Sequence, residues 1–157
     1  MRVYTCFMKP LDSEKCKEIG RTCACYSLRR TARAITRLYE DFLRPSGLRV
    51  TQFSVLNATR LRGPVTLTRL AEMTVTERTT LTRNLNLLEK KGLIRVEPGE
   101  DRRERRVSIT EQGQEALLAA IPLWEKAQEH LRDRLGEERM VELLADLSDI
   151  IALTRKV

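Results

Sequence analysis

The feature that most constrains this chain is a pair of short helical patterns joined by almost nothing. Leu67–Met73 reads as a helix of barely two turns. A second helical stretch runs from about Thr76 to Lys91, and only the Thr74-Val75 corner separates the two. Helices joined so tightly must cross at a steep angle, which defines a helix-turn-helix. Thr74 and Glu77 also have the spacing of a capping box, which would start the second helix a turn early. Gly92 follows where a glycine closes a helix in the left-handed region. Beyond it, two β-prone runs, Leu93–Val96 and Arg106–Thr110, flank a nine-residue segment crowded with arginine, the pattern of a basic hairpin. A helix-turn-helix followed at once by such a hairpin is the layout of a winged helix.

The flanking segments are helical. Leu28, Ala32, Ile35, Leu38 and Phe42 keep one face of a helix over Cys23–Leu43, which should stop before Pro45. A second helix is expected over Gln52–Leu61, with Thr51 as its N-cap and Phe53 and Leu56 inward. After the hairpin, helical stripes run over Gln114–Leu135 and, past Gly136, over Glu137–Arg155; Pro122 should kink or break the first of these. A winged domain of some 50 residues is too small to cover so much apolar surface. Terminal helices of this kind point to pairing with a second copy of the chain. The expected fold is therefore mainly α with a small β-hairpin: a winged helix-turn-helix with N- and C-terminal dimerisation helices. Its parts are an arm and dimerisation helix over 1–46, the winged region over 47–112, and C-terminal dimerisation helices over 113–157.

With 157 residues the chain builds one such unit, and its 29 basic against 22 acidic side chains imply a polyanionic partner. The excess is localised. Residues 1–59 carry 11 basic and 5 acidic groups, residues 60–110 carry 12 and 7, and residues 111–157 carry 6 and 10. No apolar run is long enough for a membrane span and no signal-peptide core opens the chain, so a cytoplasmic location without membrane contact is expected.

The second helix of the pair carries the chemistry. At 100° per residue, Leu81, Leu85 and Leu88 fall within about 60° of one another and must face the core. Thr76, Thr79, Arg83, Asn86 and Lys90 lie opposite, with hydroxyl, guanidinium and amide groups and no carboxylate. These groups hydrogen-bond base edges and phosphates in a major groove, and arginine can reach guanine bidentately. Arg102, Arg103, Arg105 and Arg106 crowd the hairpin tip, where a narrow minor groove would favour an inserted arginine.

These segments resemble the MarR family of bacterial winged-helix transcription regulators. Leu70-Ala71-Glu72-Met73 through Thr79–Leu85 and on to Leu88–Ile94 is similar to the family's helix-turn-helix. Asp101–Arg106, running on to Ile109-Thr110-Glu111-Gln112-Gly113, looks like its wing and strand exit. The resemblance implies an obligate homodimer that reads double-stranded DNA at a pseudo-palindromic operator, with one recognition helix and one wing per half-site. It aligns Thr79, Thr80 and Arg83 with positions that touch DNA in the major groove, and Arg103 with the wing-tip arginine; a proline is frequent where this chain has Arg102. The expected DNA contacts are Thr76, Arg78, Thr79, Thr80, Arg83, Asn86, Arg102, Arg103 and Arg105, in a repressor released by an effector.

Four cysteines, Cys6, Cys16, Cys23 and Cys25, fall in the first 25 residues. In a cytoplasmic protein this favours redox or metal chemistry over a structural disulfide. The hydroperoxide-sensing branch of the family has a reactive cysteine near the start of its first helix, and an ungapped match through Tyr39, Leu48, Gln52 and Phe53 places Cys25 there. Tyr39 then matches one of two tyrosines that hydrogen-bond to that cysteine, and Val50 replaces the other. Arg21, Arg29, Arg30 and a helix N-terminus favour the thiolate. Cys6, Cys16 or Cys23 would have to resolve the oxidised thiol, because the C-terminal half has no cysteine. A metal-responsive or small-molecule-responsive regulator with ordinary thiols remains the alternative. A thiol-redox enzyme ranks below both: no histidine lies near the cysteines, His130 reads as a helix-surface residue, and neither a nucleotide-binding glycine motif nor Cys-x-x-Cys is present. A protein-binding winged-helix adaptor is a third class. No cofactor and no metal ligand set is assigned.

Overall fold

A computed structural model describes residues 12–99, 101 and 104–154. The chain divides into two compact units, Met1–Arg37 and Leu38–Val157, with the boundary inside one helix. In the first unit, helix α1 (Ser13–Thr22) occupies part of what the sequence left as an arm. Asp12 caps it, its carboxylate accepting from the backbone N–H of Glu14 at 2.9 Å and of Lys15 at 3.4 Å. Helix α2 (Ala24–Leu43) starts two residues after α1 ends and crosses the unit boundary.

In the second unit, α2 ends in a short 3-10 turn, Arg44–Ser46, closed by Gly47 at φ 69°. Helix α3 (Val50–Arg62) follows, then strand β1 (Val65–Thr66), helices α4 (Leu67–Thr74) and α5 (Arg78–Lys90), strands β2 (Ile94–Pro98) and β3 (Arg105–Ile109), and helices α6 (Glu111–Leu135) and α7 (Glu137–Thr154). The antiparallel sheet has the order β1-β3-β2. Val65 and Val96 both pair with Val107, so the short strand before α4 extends the hairpin into a sheet that the sequence did not reveal.

Leu43, Leu56, Leu70, Leu81, Leu85, Leu88 and Val107 are fully buried in one core. Thr59 joins them because its hydroxyl donates to Val55 O at 2.8 Å, which removes the cost of burying it. The junction between wing and α6 is tied by one residue. Thr110 donates its hydroxyl to Gly92 O at 2.6 Å, accepts there from Gly113 N–H at 3.0 Å, and donates its own N–H to Leu93 O at 3.1 Å. Leu93 O presses so close that a Cβ on Gly113 would lie 1.9 Å from it, so only glycine fits.

Three local expectations are corrected. Helix α3 begins at Val50 without Thr51 as cap: Gln52 Oε1 accepts from Arg49 N–H at 3.1 Å and Glu40 Oε1 from Val50 N–H at 3.1 Å. No Thr74–Glu77 capping box forms, because the Thr74 hydroxyl donates back to Leu70 O at 2.8 Å, and α5 starts at Arg78. Pro122 does not interrupt α6, which runs through it to Leu135. The carbonyl that proline leaves without its helical donor belongs to Leu118, an exposed residue that water can reach.

Candidate nucleic-acid interface

The turn between α4 and α5 sets how α5 is displayed. Thr66 starts α4, its hydroxyl accepting from Arg69 N–H at 3.2 Å. The helix closes at Val75, whose φ of 48° puts a β-branched residue in the left-handed region, a strained conformation. The N–H groups of Val75 and Thr76 return to Glu72 O and Ala71 O at 3.3 and 3.0 Å. Thr76 is therefore a half-buried turn residue, its hydroxyl donating to Thr74 O at 3.0 Å, and does not belong to α5 as the sequence had implied.

With Leu81, Leu85 and Leu88 inward, α5 exposes Arg78, Thr79, Thr80, Thr82, Arg83 and Asn86. Its one carboxylate, Glu89, turns to the wing and accepts from Val96 N–H at 3.2 Å. The exposed face is thus donor-rich and cationic. Two clefts border it. On the wing side, Arg78, Thr82 and Asn86, spaced four residues apart, line a cleft of about 440 Å³ with Thr66, Thr68 and Arg105. Toward α3, Thr76, Thr80, Arg83, Asn84 and Leu87 line a second of about 350 Å³ with Arg49. Thr66, Thr68 and Thr82 were missed by sequence reasoning: only the pairing of β1 with β3 brings Thr66 and Thr68 at the start of α4 beside the wing, and Thr82 lies on the flank of α5, about 100° from Leu81. Arg105 is exposed and pairs with Pro98 across the hairpin. The tip closes through Gly99 N–H to Glu104 O at 2.9 Å and Glu104 N–H to Asp101 O at 2.8 Å. Arg102 and Arg103 lie outside the described residues.

Of the cysteines, Cys16 and Cys25 are exposed and Cys23 is half-buried; all three are free thiols, and Cys6 lies outside the described residues. Cys23 is the hinge residue between α1 and α2, and its Sγ accepts from Tyr26 N–H at 3.4 Å. Tyr39 donates its hydroxyl to Gln128 Oε1 on α6, and burial raises its pKa above the ordinary phenol value. It borders a groove of about 640 Å³ with Val50, Asn57, Met73, Ile121 and Trp124, floored by Phe53, whose ring stacks on Trp124 at 6.3 Å. His130 is half-buried against Phe42, ring centres 5.6 Å apart, rather than free on the helix surface. Among the described residues no group of three or more metal-ligating side chains converges, and no helix is long and apolar enough to cross a membrane.

A tightly turned helix pair with an uncovered cationic helix face and an adjoining wing defines a winged helix-turn-helix regulator. The MarR family model matches residues 46–104. The transcriptional regulator MosR of M. tuberculosis, solved in complex with DNA, is 41% identical with a TM-score of 0.74, covering 85% of this chain and 98% of that one. The repressor CouR, solved on a 23-mer DNA duplex, is 24% identical and shares the fold at a TM-score of 0.76, covering 90% of this chain and 99% of its own. The uncharacterised HTH-type transcriptional regulator YwoH of Bacillus subtilis is 33% identical over 57% of this chain, and the match spans 65% of its own length. The chain belongs to the MarR family of transcriptional regulators.

Proposed function

We propose that the chain acts as a homodimeric, sequence-specific DNA-binding repressor. Each copy lays α5 in the major groove and its wing along the minor groove of one half of a pseudo-palindromic operator. The carrying observation is the exposed face of α5: Arg78, Thr79, Thr80, Arg83 and Asn86 point outward, with no carboxylate on that face to compete with phosphate. The DNA-bound state of MosR supports the same reading. Dimerisation is supported by α7, whose apolar residues stay largely exposed in the single chain.

Release through thiol oxidation is supported by the exposed Cys25, the second residue of α2, and by Cys23 at the hinge before it. An organic hydroperoxide would oxidise the Cys25 thiol to sulfenic acid and leave as the alcohol. Condensation with Cys6, Cys16 or Cys23 would form a disulfide and release water, distorting the start of α2. A small-molecule effector is favoured instead by the Tyr39–Trp124 groove, which is large enough and aromatic enough to hold one.

The test is a gel shift of the purified protein on its own promoter region at physiological salt, with and without an organic hydroperoxide, alongside a thiol count. Specific binding that oxidant abolishes and reductant restores, with Cys25→Ser still binding but unresponsive, is the expected result. Binding indifferent to oxidant transfers the effector role to the groove. No specific binding overturns the repressor reading.

A further inference from the structure

Helix α5 is flanked by the wing on one side and by the start of α3 on the other, and this second flank carries a cation that belongs neither to α5 nor to the wing. Arg49 is the residue just before α3, and its side chain is exposed. Its backbone is firmly held. Its N–H donates to Gln52 Oε1 at 3.1 Å, and the next N–H, of Val50, donates to Glu40 Oε1 at 3.1 Å. Gln52 is itself buried, so the start of α3 is anchored in the core. Lys91, just past the end of α5, donates its ammonium to Gly47 O at 3.1 Å. That bond ties α5 to the turn before α3 and keeps Arg49 beside it.

Arg49 lines the α3-side cleft of about 350 Å³ together with Thr51, Thr80, Arg83 and Asn84, and no carboxylate borders that cleft. The other cations of the turn are occupied, Arg44 by Asp41 and Lys91 by Gly47 O. Glu40 borders the far side of the turn, where Val50 N–H engages it. Among the described residues no carboxylate pairs with Arg49, so its guanidinium is available to an anion from outside the chain. An α-helix with its side chains is about 10 to 12 Å across, and the major groove is about 12 Å wide. An α5 that enters the groove therefore brings each of its flanks against one phosphate strand. On the wing flank the cations are Arg78 and Arg105. On the α3 flank, Arg49 and the Thr51 hydroxyl are the groups placed to meet the other strand.

We propose that Arg49, assisted by the Thr51 hydroxyl, binds a backbone phosphate of the strand on the α3 side of α5, opposite the strand that the wing crosses, and so fixes the depth and register at which α5 enters the groove. The proposal rests on the DNA-binding reading above and deepens it by dividing the work: Arg83 reads a base, and Arg49 positions the helix without reading sequence.

The test titrates the full-length parent, Arg49→Ala and Arg49→Lys on a duplex from the chain's own promoter region and on a random duplex, each over a salt series. Arg49→Ala should weaken binding to both duplexes alike, by about five-fold for each half-site occupied at about 0.15 M salt, and the slope of log K against log salt should fall by about 0.9 per half-site. Arg49→Lys keeps the charge and should keep the slope. Neutral methylphosphonates placed one at a time along the footprinted operator then locate the contact. One position on the α3-side strand should weaken the parent and leave Arg49→Ala unaffected, while Arg83→Ala retains the parent's sensitivity there. An Arg49→Ala variant with the parent's affinity and slope overturns the proposal. So does a loss confined to the operator, which would make Arg49 a reader of bases or DNA shape, and so does a methylphosphonate series to which parent and variant respond alike. A parent chain that binds neither duplex refutes the DNA-binding reading itself, a distinct result. Denaturation midpoints check that the variants stay folded, and Arg49→Gln, which loses the charge but keeps a hydrogen-bond donor, repeats the series if Arg49→Ala unfolds.

Discussion

Helices α5 and α7 both carry an apolar stripe at helical spacing, and their environments differ completely. The α5 stripe, Leu81, Leu85 and Leu88, is at most 2% exposed, enclosed by the core of its own chain. On α7 only Met140 is buried, while Val141, Leu144 and Ile151 are 58%, 50% and 41% exposed. The periodicity of a stripe therefore reports that a face seeks apolar cover and leaves open which surface provides it. Mutations at the two stripes should differ in kind. Leu85→Ala should lower the unfolding free energy by about 2 to 5 kcal/mol through lost transfer energy and a cavity, measured by chemical denaturation and independent of protein concentration. The same loss appearing only in dilute samples would show that α5 depends on a partner.

Leu144→Glu should act the other way. The side chain is half-exposed in one chain, so helix content and the stability of the monomer should change little. Burying a carboxylate without a partner in an interface should weaken association by about 3 kcal/mol, more than a hundred-fold. Unfolding midpoints that depend on concentration in the parent and lose that dependence in the variant would establish α7 as the shared surface. An unchanged sedimentation profile would return the α7 stripe to ordinary surface.

The same contrast explains what was legible. Every inward residue of α5 was readable, because Leu81, Leu85 and Leu88 satisfy one period with no help from distant sequence. Local hydrogen-bonding choices were not. Thr74 has the spacing of a capping residue, yet its hydroxyl returns to Leu70 O, and the true end of α4 is set by Val75 in the left-handed region. The start of α3 is held by Glu40, ten residues away on another helix, a contact no local pattern encodes. Gly113 was readable as part of a motif, but its reason lies in the carbonyl of Leu93 across the wing junction. For the candidate site, the residues along α5 followed from periodicity, whereas Thr66 and Thr68 join it only through strand pairing.

Arg83 sharpens the comparison on the outer side of α5, where its side chain is exposed. Arg83→Ala should cost about 1 to 3 kcal/mol on the specific operator and relax base preference at one position of each half-site. Titrations on operator and on random DNA check this. An equal loss on both would make Arg83 a phosphate contact, with a correspondingly smaller salt slope. Because Arg83 does not support the core, the stability of the variant should match that of the parent.

The smallest effect concerns Tyr39, which joins the end of α2 to α6 through Gln128. The family resemblance aligned this tyrosine with a partner of the reactive thiol, and in this chain its hydroxyl serves α6. Burial raises its pKa, so the folded state holds the phenolic proton more tightly than the unfolded state does. The stability gained from this is complete below the ordinary phenol value of about 10 and is lost as pH rises through the higher folded value. Tyr39→Phe removes that titration and the hydrogen bond together. It should cost about 0.5 to 1.5 kcal/mol near neutral pH, and the gap between variant and parent should narrow in denaturation series carried above about pH 10. Running the peroxide-dependent gel shift on the same variant separates the two roles. A response equal to the parent's assigns Tyr39 to the α2–α6 tether alone. A blunted response with a normal thiol count would mean that the hydroxyl also reaches the cysteine of a second copy.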